Sequence, residues 1–100
     1  MRTPDIRRVL AAPDRFHGRR VVVFLAPGTG RAAFVAGRKV GGAVQRNRAR
    51  RILRAAWSEV VPGIADGYDA VLVARPAIRR AKTQDLVAEM TELLPEAREP

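Results

Sequence analysis

The chain has no cysteine, a single histidine and, between Asp14 and Glu59, no acidic residue. Each absence removes a class of function. Without cysteine there is no disulfide framework, thiolate zinc site or cysteine nucleophile, a composition that suits a reducing compartment. His17 stands between Phe16 and Gly18 with no second group at useful spacing to complete an acid/base pair. Asp66 and Asp69 flank a turn, and Asp-Gly turn chemistry explains Asp66 without a metal. Long apolar runs are missing too. The longest, Val21 to Pro27, is far short of the ~18 residues of a membrane helix, and no apolar signal core follows the charged N-terminus. These features predict a cytoplasmic protein that does not engage membranes. Repeats, low-complexity tracts and linkers are also missing, so the 100 residues read as one domain, with 96–100 a frayed tail.

What the chain has in quantity is positive charge, unevenly placed. Residues 1–58 hold 14 Arg or Lys against 2 acids, whereas residues 59–100 hold 5 against 8, within a net charge of +9. Such polarity predicts one polyanion-facing side built from the first 58 residues. Seventeen of the cations are Arg; Lys39 and Lys82 are the exceptions. Guanidinium is planar, always charged, grips phosphate in two places and stacks on bases, which suits RNA.

The charge is densest where a helix is predicted, from about Ala43 to Val60. Ala49, Ile52, Leu53, Ala56, Trp57 and Val60 fall at i, i+3, i+4, i+7, i+8 and i+11, a single apolar stripe. Arg46, Asn47, Arg48, Arg50, Arg51 and Arg54 lie off that stripe. Like charges four residues apart, Arg46 with Arg50 and Arg50 with Arg54, repel by a few tenths of a kcal/mol, a repulsion that a polyanion would relieve.

The remaining elements follow from punctuation. Thr3-Pro4-Asp5 starts a helix with Ile6, Val9 and Leu10 on one face, and Pro13 ends it. Residues 19–26 and 31–36 read as strands joined by Pro27-Gly28-Thr29-Gly30, which predicts an antiparallel hairpin. Gly37, Gly41 and Gly42 bracket the basic turn Arg38-Lys39-Val40. After Pro62-Gly63 and the Asp66-Gly67 turn, Tyr68 to Arg75 reads as a buried strand. Thr83 is expected to cap a last helix striped by Leu86, Val87, Met90, Leu93 and Leu94, which Pro95 closes. The predicted order is helix, strand, strand, helix, strand, helix, an α/β (α+β) sandwich.

One stretch narrows the reading further. The strand ending at Ala36 is followed by Arg38-Lys39-Val40-Gly41-Gly42-Ala43-Val44, then Arg46-Asn47-Arg48, Arg50-Arg51 and Arg54; downstream comes Gly67-Tyr68-Asp69-Ala70-Val71-Leu72-Val73-Ala74-Arg75-Pro76. This resembles the protein subunit of bacterial ribonuclease P over roughly residues 19–94. The resemblance implies a two-layer sandwich like the second domain of a ribosomal small-subunit protein, with a left-handed β-α-β crossover. It also implies a catalytic RNA subunit that cleaves the 5′ leader from precursor tRNA using Mg2+, the protein alone binding no cofactor and holding no metal. Two features depart from the family. Ile6 and Leu10 stand where its first helix usually carries aromatics, and the N-terminal segment and the Pro27–Gly30 turn are short.

The expected RNA-binding residues are therefore Arg38, Lys39, Arg46, Asn47, Arg48, Arg50, Arg51 and Arg54. Asn47 also offers a donor and an acceptor to a base edge or 2′-OH. The resemblance places a leader cleft at Val22, Phe24, Asn47, Arg50 and Arg54, where strand and helix would form opposite walls of one groove; an exposed Phe24 would stack a single-stranded base. Arg79, Arg80 and Lys82 form a second, smaller basic cluster. The expected partners are the catalytic RNA and precursor tRNA, with the protein a monomer inside the ribonucleoprotein and no catalytic residue of its own. The competing readings are a structural RNA-binding protein of another ribonucleoprotein and a stand-alone endoribonuclease.

Overall fold

The computed structural model describes residues 1–64 and 67–94. Asp66, Pro95 and the tail 96–100 lie outside those residues. The chain runs α1 (Thr3–Ala11), β1 (Asp14–His17), β2 (Val21–Pro27), β3 (Ala32–Val35), α2 (Ala43–Val60), β4 (Tyr68–Ala74) and α3 (Thr83–Leu93), with 3-10 turns at Arg38–Val40, Val61–Gly63 and Pro76–Arg80. Arg2 precedes α1 and Lys82 precedes α3 at the capping positions, so neither Thr3 nor Thr83 caps its helix. At α3 the Asp85 carboxylate reaches back and accepts from the Lys82 N–H at 2.8 Å.

The sheet corrects the expected pairing. Its order is β1-β2-β4-β3, with β2 antiparallel to both β1 and β4 and with β3 parallel to β4. The strands joined by Pro27–Gly30 are thus not a hairpin. Turn residues specify where a chain reverses, not which strand it meets. β4 occupies one edge of β2 along its whole length, from Val21 opposite Ala74 to Pro27 opposite Tyr68, and the four-residue β1 takes the other. β3 is left to pair on the far side of β4, Ala32 beside Ala70 and Val35 beside Val73. The unit β3–α2–β4 is then a crossover between adjacent parallel strands, which needs a connection as long as a helix.

Alternation along the strands sorts the two faces. Val21, Val23 and Leu25 of β2, with Ala70, Leu72 and Ala74 of β4, form the main core beneath α2 and α3. The whole predicted stripe of α2 is buried there, Trp57 included, with Leu86, Met90 and Leu94 completing it. Burying each such Leu, Met or Val contributes roughly 1.5–3 kcal/mol, an upper bound because the unfolded chain is already partly collapsed. Among the described residues the opposite face carries α1 alone, whose Val9 packs with Ala26 and Val71 and leaves Phe24, Ala33, Val35 and Val73 partly covered.

Candidate nucleic-acid interface

The basic turn and α2 hold their cations in different ways. Gly41 carries φ +141°, a conformation that side chains rarely adopt, and an added Cβ would meet the Gln45 side chain at 3.1 Å. That bend delivers the exposed Arg38 and Lys39 to the start of α2, whose capping residue Gly42 offers no side-chain bond to the first N–H groups. Asn47, Arg51 and Arg54 are exposed along the helix. Arg50 donates to Asn47 Oδ1 at 2.9 Å and lies 3.5 Å from the Ala36 carbonyl, which braces the polar face against the end of β3. Arg54 rests over the Phe34 ring, 5.5 Å from its centroid. Arg46 turns back to the Gly41 carbonyl at 3.3 Å.

Arg48, expected among the RNA-binding residues, is turned inward instead. It is half-buried, and its guanidinium donates to the Arg79 and Ala81 carbonyls at 3.2 and 2.5 Å, fastening α2 to the turn that leads into α3. At 100° per residue Arg48 sits on the flank of α2 nearest α3, beside the apolar stripe rather than opposite it. Its donors are engaged inside the protein, so it belongs with the scaffold more than with the free cationic face.

The expected cleft is also rearranged. Val22 and Phe24 lie on the α1 face of the sheet, whereas α2 packs on the other face. Asn47, Arg50 and Arg54 reach the β3 edge by way of Ala36 and Phe34, so they do not form the wall opposite Phe24. The cause is the two-residue alternation of β2. Val21, Val23 and Leu25 fill the α2 side, which puts Phe24 on the side of Ile6 and Leu10. The structure thus brings together two surfaces, an apolar trough floored by the sheet and walled by α1, and a cationic rim at the β3 edge. Over the Phe24 ring lies Arg15 of β1, 5.3 Å from the centroid.

A buried carboxylate anchors the trough. Asp69, fully buried on β4, accepts from the Thr29 and Arg31 N–H groups at 3.0 and 2.9 Å and from the Arg8 and Arg31 guanidiniums at 2.5 and 3.1 Å. Burial alone would raise its pKa, but those donors outweigh burial and hold it well below the usual carboxylate range. The same contacts raise the Arg31 pKa, with the Asp69 hydrogen bond as the leading cause. Arg8 also donates to the Pro27 carbonyl at 2.8 Å, and Arg31 pairs with Asp5 at 3.3 Å, so α1 is tied to the β2–β3 connection. Both of its oxygens are filled by donors from the protein. The sequence held one signal for this role: an acid inside an otherwise apolar strand needs a buried partner.

Comparison with known proteins matches residues 1–98 to the ribonuclease P family model. The chain belongs to the bacterial ribonuclease P protein family. It is 39% identical over 102 residues to the ribonuclease P protein component of Chloroflexus aurantiacus, covering 97% of this chain and 76% of that one. For the component of Acidothermus cellulolyticus the figures are 40% over 99 residues, 93% and 82%. Among solved structures, the ribonuclease P protein of Thermotoga maritima superposes with a TM-score of 0.82 at 20% identity, covering 99% of this chain and 97% of that one. The Staphylococcus aureus ribonuclease P protein gives 0.80 at 21%, with 97% and 92% covered. The three-helix, four-stranded mixed fold is therefore that of the ribonuclease P proteins, and the chain is a protein component of that ribonucleoprotein. Among the described residues no helix is long and apolar enough to cross a membrane.

Proposed function

We propose that this ribonuclease P protein component is a cytoplasmic, non-catalytic RNA-binding subunit that engages a catalytic RNA and the 5′ leader of precursor tRNA. The observation that carries the reading is the division of the surface described above. Exposed Arg38, Lys39, Asn47, Arg51 and Arg54, with no acid between Asp14 and Glu59, form a face suited to RNA phosphates. The sheet face holding Val22 and Phe24 is apolar and only partly covered by α1, which suits unpaired nucleotides. Arg15 over Phe24 contributes roughly 0.5–1 kcal/mol at an exposed site, whereas stacking a base contributes roughly 1–3 kcal/mol. A leader base would therefore displace Arg15 and turn it to a neighbouring phosphate. In this reading any Mg2+ that the cleavage uses is held by RNA, and the protein acts as a monomer.

The test is reconstitution with a ribonuclease P RNA. Phe24→Ala is expected to weaken binding of precursor tRNA by about fivefold, near the lower end of base stacking, with mature tRNA barely affected. Equal weakening of both tRNAs would remove the leader assignment. His17, the chain's single histidine, is exposed on β1. If His17→Ala abolished cleavage while folding and RNA binding survived, the protein would be a nuclease in its own right.

A further inference from the structure

A second cationic site lies on the opposite flank of α2 from the β3 edge. A cavity of about 520 Å³ opens between Arg19 and Arg20 at the start of β2, Gln45 in the first turn of α2, and Pro76, Ala77, Arg79 and Arg80 of the turn after β4. Both rims are fixed. Arg48 holds the Arg79 and Ala81 carbonyls, and Arg75 donates to the Gly18 carbonyl at 3.0 Å and, through its N–H, to the Arg20 carbonyl at 2.8 Å. Arg20 is engaged by Glu89, which accepts from its N–H at 2.9 Å and its guanidinium at 3.1 Å. Arg19, Arg79 and Arg80 are exposed and, among the described residues, make no ion pair.

We infer that this cavity is a phosphate-backbone site for a segment of the RNA subunit distinct from the one that covers the outer face of α2. The inference rests on the proposed RNA-binding role. Three unpaired guanidiniums on braced backbone match phosphate oxygens, which Arg grips in two places. No aromatic ring lines the cavity, so it offers nothing for a base to stack on, and recognition stops at the backbone. The turn carrying Arg38 and Lys39 packs beside the turn carrying Arg79 and Arg80. Positive charge thus continues from the outer face of α2 around its first turn into the cavity. A folded RNA that covers one end of this path meets the other, and with two fixed points on one helix the protein would set the angle between two RNA segments.

The chain's lack of cysteine makes the test direct. Single-cysteine variants Ala77→Cys, at the cavity mouth, and Ser58→Cys, exposed on the outer face of α2, each carry a tethered iron chelate in complex with the ribonuclease P RNA that co-purifies with the tagged chain. Cleavage of that RNA at separate segments by the two tethers is expected; cleavage from position 58 alone would overturn the inference. In parallel, Arg79→Ala/Arg80→Ala is expected to weaken binding of the RNA about tenfold and to make the log–log salt slope shallower by about 1.5, at roughly 0.7–0.9 per phosphate, with an unchanged melting temperature. Unchanged affinity in this variant, alongside weakened binding by Arg51→Ala/Arg54→Ala, would overturn the second site and leave the proposed function standing. Unchanged affinity in both would overturn the two together. A loss confined to precursor tRNA, with the RNA subunit bound normally, would assign the cavity to substrate and refute the inference as stated.

Discussion

Arg48 and Arg51 are three positions apart in one basic run, yet the fold uses them for different ends. Arg48 spends its donors on two carbonyls of the segment before α3; Arg51 points to solvent. Arg48→Ala is expected to destabilise the protein by about 1.5–3 kcal/mol, in the range for hydrogen bonds to a charged group, which thermal melting would register as a fall of several degrees. Arg51→Ala should leave melting within about 0.5 kcal/mol of wild type and reduce the salt dependence of RNA binding by roughly one phosphate's share. Nothing in residue type or local spacing distinguishes the two. Asp69 makes the same point for acids. Its pKa is depressed, so its stabilising contribution is complete above the ordinary carboxylate pKa near 4 and is lost as pH falls below that toward its folded value. Asp69→Asn is expected to lower the melting temperature on the order of 5–10 °C at pH 7, and the gap from wild type should begin to close only below about pH 4. A gap that stayed constant as the pH fell from about 5 to about 2 would show that Asp69 titrates near its ordinary value in the folded protein.

Among the elements, α2 was legible to the residue at both ends, and its buried set was the predicted stripe, because an 18-residue amphipathic pattern leaves few alternatives. β1 was not. Of its four residues only Phe16 is even half-buried, so Asp14–His17 has no alternation to read and forms a strand because β2 has an edge to fill. The pairing of β3 was invisible for a related reason: its partner lies 38 residues along the chain, beyond any local signal. The candidate site divides in the same way. The free cations of α2 could be named from the sequence, but which face Phe24 shares, and which cation is withheld, depend on how distant segments pack. The like charges along α2 also carry a prediction. Screening Arg46, Arg50 and Arg54 from one another should make the RNA-free protein slightly more stable in moderate salt, by a degree or two between 0.05 and 0.3 M NaCl. A clear fall in melting temperature would mean that the Asp69 and Glu89 ion pairs outweigh that repulsion.

For the whole molecule, a net charge of +9 concentrated in the first 58 residues should dominate association with RNA. If Arg38, Lys39, Arg46, Arg51 and Arg54 each neutralise one phosphate, affinity should fall with a log–log salt slope of about −4. Titrations between 0.1 and 0.4 M salt would read it, and a slope near zero would remove phosphate contact as the basis of binding. The sheet order has a bearing on how the chain is made. β4 is the partner that both β2 and β3 require, and it is the last strand to leave the ribosome. Until residue 74 has emerged, the sheet consists of the β1–β2 ribbon alone, too small to be stable by itself, while the cationic α2 segment is already accessible. Non-local pairing of this kind slows folding, so a nascent chain passes through an interval in which its RNA-binding segment is exposed before its core can close. Assembly with RNA and completion of the sheet would then compete in time, and an RNA that captures α2 early would hold the helix in place for β4 to arrive.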